Sequence, residues 1–198
     1  MKKLIYLMMM CCAAWTVQSC SGTKSSTEAA DSANSAKIDT AKKDSSTAGA
    51  PAITVNETDS KFAVDAANGG MAEVALSKLA QTKATNAKAK EFASMMITDH
   101  TKANDELMAL AKSKNITLPA TISDDKQKTA DDLSKKSGAD FDKDYIDKML
   151  DDHKKTVSMF EDESKNAKDP DIKAFVDKTL PTLKMHLQHV QTIKDGMK

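Results

Sequence analysis

The chain has 198 residues, 29 basic and 29 acidic side chains and no net charge, and every base is lysine. A neutral surface without arginine is a poor phosphate clamp, because two-point phosphate recognition favours the guanidinium fork. Nucleic acid is therefore not expected as a partner, and no glycine-rich loop is present to hold a nucleotide. Six glycines and four prolines, against plentiful alanine, lysine, methionine and leucine, point to an all-α fold.

Lys2 and Lys3 precede an apolar run from Leu4 to Val17. That run is too short for an ordinary membrane span and reads as an export signal over residues 1–19. It ends in Val17-Gln18-Ser19-Cys20, which resembles the lipobox of bacterial lipoproteins. The resemblance implies cleavage before Cys20 and lipidation of that cysteine. Cys11 and Cys12 then leave with the signal, so the exported chain has no disulfide and its fold must rest on its core. Such a protein is tied to the membrane of the cell envelope through its N-terminal lipid. Ser21 stands where retention signals place Asp, which by the sorting rule of enteric bacteria favours the outer membrane.

Residues 20–58 are Ser, Thr, Ala, Lys, Asp and Glu with few large apolar side chains, and Ile38 stands alone in the first part. Such composition predicts a flexible tether, because it buries too little surface to offset the entropy of ordering. The folded domain is expected over residues 59–198.

Its first helix is predicted from about Ser60 to Lys83, with Phe62, Ala66, Gly69, Glu73, Leu76 and Ala80 on one stripe. The second runs from about Asn86 to Lys114 with Phe92, Met96, His100, Ala103, Leu107 and Leu110, and Asn115 is placed to cap it in a left-handed conformation. A short helix starts after Ser123 and is expected to close at Gly138. A long one follows from about Asp140 to Asn166, with Ile146, Met149, Leu150, His153, Val157 and Phe160. Asp169-Pro170 opens the last, which carries Phe175, Val176, Leu180, Leu183, Leu187, Val190 and Ile193. Pro181 should bend that helix, and Gly69-Gly70 suggests a close approach at the same level. Four such stripes predict a four-helix bundle with a short extra helix in the middle connection.

Two of these helices contain versions of one phrase: Met96-Ile97-Thr98-Asp99-His100 and Met149-Leu150-Asp151-Asp152-His153. An aromatic stands eight residues before each histidine, Phe92 and Tyr145. With Gly69-Gly70-Met71-Ala72-Glu73-Val74, Phe141-Asp142-Lys143-Asp144-Tyr145-Ile146 and Thr179-Leu180-Pro181-Thr182-Leu183-Lys184-Met185-His186-Leu187, they resemble the bacterial family labelled domain of unknown function 4142. The resemblance spans about residues 58–196 and implies a ferritin-like bundle in the cell envelope. It brings no established activity. The carboxylate di-iron site of ferritin-like proteins needs Glu-x-x-His, which is nowhere in this chain, since Ile97, Leu150 and Leu183 stand three before the histidines.

What remains is one polar residue per helix: Glu73, His100, His153 and His186. At a common depth they could bind a divalent ion such as Zn, Fe or Mn, with Asp99 and Asp152 as outer acceptors. The same residues could instead form a closed polar layer that fixes helix register, and His186 with His189 could be a surface pair. Asp99 and Asp152 also suit solvated pairing with Lys102 and Lys155. No free cysteine remains and no serine sits in a nucleophile elbow, so nucleophilic catalysis is not expected, while direct acid–base catalysis by the buried set stays open. The expected function is a non-enzymatic structural or interaction module of the envelope, acting on an envelope protein partner. A metal-binding bundle is the alternative.

Overall fold

A computed structural model describes residues 25–43, 53 and 55–197. The described residues form six helices: α1 Ser26–Lys43, α2 Glu57–Lys83, α3 Ala87–Ser113, α4 Asp124–Ser134, α5 Gly138–Asn166 and α6 Pro170–Gly196. No described helix is long and apolar enough to cross a membrane. The export signal and Cys20 lie outside the described residues.

Three of the four long helices, α2, α3 and α6, start where side-chain oxygens satisfy their first amides, while α5 starts after Ser137 without such a bond. Asn56 accepts from Asp59 N, Asn86 from Lys88 N and Ala89 N, and Asp169 from Asp171 N and Ile172 N ahead of Pro170. At the far end of α3, Asn115 takes φ 57°, and Ile116 N bonds back to Ala111 O.

Helices α2 and α3 form one hairpin and α5 and α6 another. Packing of α2 on α5 and of α3 on α6 closes a ring of four. Two apolar clusters fill it. One holds Leu76, Phe92, Met96, Tyr145, Met149 and Val190; the other holds Phe62, Leu107, Val157, Phe160, Phe175 and Leu183. Chain order between the clusters shows that neighbouring helices are antiparallel. The link from α3 to α5 must therefore return the length of the bundle, and α4 lies along it against α2 and α5.

Each hairpin turn is held by a buried aspartate from the other hairpin. Asp142 of α5 accepts from Thr85 N at 2.9 Å and Asn86 N at 2.8 Å. Asp59 of α2 accepts from Lys168 N at 3.1 Å and Asp169 N at 2.7 Å. A backbone amide buried without such an acceptor costs about 1–3 kcal/mol, so these two residues fix how the hairpins dock.

Three expectations need correcting. The stretch expected to be a flexible tether contains α1, which packs on α2. Asn34 donates to Thr117 O (2.9 Å) and accepts from Thr117 N (2.7 Å), Lys37 donates to Asn115 O (2.8 Å), and Ile38 joins the apolar cluster of Phe62. Polar anchoring supplies what apolar content lacks. Second, the helix that closes on the glycines is α3 and not α6, which carries Pro181. A Cβ on Gly70 would lie 2.2 Å from Asn104 Oδ1 of α3, whereas Gly69 faces open space and α2 runs through both. Third, α4 ends at Ser134, and Gly138, at φ +58°, stands at the start of α5 instead of closing α4.

Candidate metal centre

Glu73 of α2, His100 of α3, His153 of α5 and His186 of α6 occupy the seam between the two apolar clusters. On each helix the apolar residues to one side belong to one cluster and those to the other side to the second. This places the four side chains at one depth. All are buried, with His153 and His186 wholly inaccessible, so His186 is no surface pair with His189. Ring centroids lie 5.7 Å apart for His100 and His153, 5.3 Å for His100 and His186, and 5.6 Å for His153 and His186. Phe92 closes the layer on one side, its ring 6.2 Å from that of His153 and 6.4 Å from that of His186.

Each imidazole is oriented through one nitrogen. His153 Nδ1 donates to Met149 O at 2.9 Å, one turn back on α5. His186 Nε2 donates to Asp99 Oδ2 at 2.8 Å. His100 Nδ1 lies 3.1 Å from Glu73 Oε2, and His153 Nδ1 lies 3.4 Å from Glu73 Oε1. Carboxylates and carbonyls only accept, so the proton belongs on the nitrogen facing them. That leaves His100 Nε2, His153 Nε2 and His186 Nδ1 with lone pairs, and these three buried atoms have no hydrogen-bond partner. One ring nitrogen from each histidine falls within 4.8 Å of the other two. Nitrogens about 2.0 Å from a shared tetrahedral ion sit roughly 3.3 Å apart, so modest ring rotation brings them onto one ion.

Electrostatics agree with the geometry. Burial drives the His100 imidazole down to about 4 and also lowers His153 and His186. Neutral imidazole is the form that ligates a metal. Burial raises the Glu73 carboxyl to about 7, against the pull of His153. Both Glu73 oxygens lack a well-aligned hydrogen bond despite the close imidazoles.

The acids beside the histidines part company. Asp99 and His100 are adjacent on α3, so they point about 100° apart, and Asp99 meets α6 while His100 faces the interior. Asp99 thus orients His186 and not its sequence neighbour. Asp152 meets neither histidine nor Lys155. It is buried between Lys148 Nζ at 2.9 Å and Lys126 Nζ of α4 at 3.4 Å, which corrects the expectation that it supports a ligand. Glu73 stands behind two of the imidazoles, outside the group of three nitrogens. Asn104, Asp142 and Asp59 escaped the sequence reading. A polar residue opposite a glycine in a neighbouring helix is the signal that could have flagged Asn104.

The family described as Domain of unknown function (DUF4142) matches residues 43–193, which takes in α2 to α5 and most of α6. Solved structures with a similar fold include CopM in the Cu(I)-bound form, at 17% identity and TM-score 0.60 over 70% of this chain and 96% of that one. CopM in the Cu(II)-bound form gives 17% and 0.61 over 71% and 97%. A DUF305 fragment from Deinococcus radiodurans gives 10% and 0.63 over 71% and 97%. At these identities the likeness shows a shared fold. No curated protein matches the chain.

Proposed function

The chain belongs to the DUF4142 family, and we propose that its bundle is a transition-metal-binding module whose ion is held by His100, His153 and His186. One observation carries this reading: three buried histidines on three different helices bring ring nitrogens within 4.8 Å of one another, and each keeps a nitrogen without a partner. Each unpartnered buried nitrogen costs about 1–3 kcal/mol, and total stability is only about 5–15 kcal/mol. A layer that served only to fix helix register would use its hydrogen bonds on itself. This one leaves them open, and shared coordination of an ion satisfies all three together.

The donor set favours ions that accept imidazole. Copper and zinc suit it better than magnesium or calcium, which seek oxygen. The CopM structures, described as copper-bound, add copper to zinc, iron and manganese as ions to try. Glu73 and Asp99 stand behind the rings as carboxyl groups, and a bound cation would favour the ionised form of Glu73. The module holds its ion without turning over a substrate, and we place it in the cell envelope, anchored through Cys20. Membrane association that survives Cys20→Ala would refute the anchor.

The test of the metal reading is thermal unfolding of the full chain with Cu²⁺, Zn²⁺, Fe²⁺ and Mn²⁺ in turn, beside elemental analysis of protein purified from its own envelope. An ion bound only by the folded state raises the Tm. Absence of any shift, together with metal-free native protein, rejects it.

A further inference from the structure

If an ion reaches three sealed imidazoles, it needs a route, and the surroundings of the layer close most directions. Toward one end stand Phe92, Met96 and Met149, all fully buried and apolar. Toward α4 stands Asp152 under the ammonium groups of Lys126 and Lys148, which repel a cation. Between α3 and α6 a pocket of about 110 Å³ reaches Asp99, but Asp99 is already bonded to the protonated nitrogen of His186. None of Glu73, His100, His153 and His186 lines that pocket.

The fourth direction is open. A cavity of about 40 Å³ lies in the bundle beside Glu73 and His100, bordered by Gly69, Gly70, Ala103, Asn104 and Thr179. It is wide enough for a water molecule or a stripped cation, since one probe-sized space of ~10–15 Å³ suffices for water. Its rim reaches half-exposed Gly69, Ala103 and Asn104. Glu73, whose two buried oxygens lack hydrogen bonds, is among its lining residues. Gly70 makes room for the Asn104 amide at the rim, because a Cβ there would collide with Asn104 Oδ1.

The geometry points to this cavity as the port of the metal centre, with Asn104 at its mouth and Glu73 as the oxygen site that receives an incoming cation before the imidazoles do. The inference rests on the metal reading above and concerns how the ion arrives. Oxygen ligands along the way replace water lost by the ion one contact at a time, which lowers the barrier to entering an apolar interior.

A port sets rates and leaves equilibrium alone. The experiment is stopped-flow binding of Cu²⁺ to the full chain, with dissociation followed by chelator competition. Gly69→Leu fills the rim from α2, where a Cβ meets nothing within 4 Å, and Ala103→Leu fills it from α3. Association and dissociation should both slow by about tenfold or more while Kd changes by less than about threefold. Thr182→Leu, which narrows the other pocket, should leave both rates unchanged. Unchanged rates in the two rim variants, or slowing by Thr182→Leu alone, overturn the port while sparing the metal centre. A wild-type chain that binds no ion overturns both. If one rim variant misfolds, the other decides.

Discussion

Glu73 and Glu163 are both buried carboxyls held up to about 7, in each case chiefly by burial, yet they sit in opposite kinds of surroundings. Glu73 stands in mid-bundle against imidazoles that each keep a nitrogen free. Glu163 stands at a hairpin turn beside Asp59, whose oxygens are occupied by the Lys168 and Asp169 amides. The first group belongs to an unfinished coordination sphere. The second is held up by burial and by the charge of a carboxylate whose work is structural. A perturbed carboxyl therefore marks a candidate site only when its neighbours are also left wanting partners.

The largest effect that separates the two places is the response to metal. With an ion at about a thousand times its Kd, the wild type should gain about 4 kcal/mol, on the order of 10 °C in Tm. His100→Ala with His153→Ala should abolish that gain, and Glu163→Gln should keep it whole. A shift that survives in the double variant moves the ion elsewhere and dissolves the contrast.

A smaller effect distinguishes holding an ion from orienting its ligands. Glu73 contacts two ligand rings from behind, so Glu73→Gln should weaken affinity by about 10- to 100-fold without abolishing it, measured by chelator competition. Complete loss would make Glu73 a direct ligand. No change would make it a spectator like Glu163.

Much of the bundle was legible in the sequence because its signals are local. Asn86, Asp169-Pro170 and Asn115 announce helix ends by chemistry that acts within a few residues, and His100 and His153 lie on their apolar stripes, with His186 on the flank of its own. Pairings across the bundle were not legible. Asp99 and His186 are 87 positions apart, and nothing in either helix says which acid turns toward which ring. Helix α1 was hidden for another reason. Its hold on the bundle runs through Asn34 and Lys37 to backbone groups of the α3–α4 connection, and a count of apolar residues cannot register amide-to-backbone bonds.

The finest effect belongs to Glu163 and is a matter of sign. Its carboxyl binds a proton more tightly folded, at about 7, than unfolded, near 4.5, because burial and the Asp59 charge both disfavour ionisation. Stability from this group is thus complete below about pH 4.5 and is lost as pH climbs through 7. Glu163→Gln keeps a neutral donor facing Asp59 at every pH. The variant and wild type should therefore match near pH 4.5, and the variant should lead by on the order of 1–2 kcal/mol at pH 8, a value reduced for solvent screening near the bundle end. Glu73 tilts the wild type in the same direction, so the quantity to read is the difference between variant and wild type in urea midpoint at the two pH values. A difference that stays constant from pH 4.5 to 8 would mean that folding does not raise the Glu163 carboxyl, and the likeness between the two glutamates would lapse.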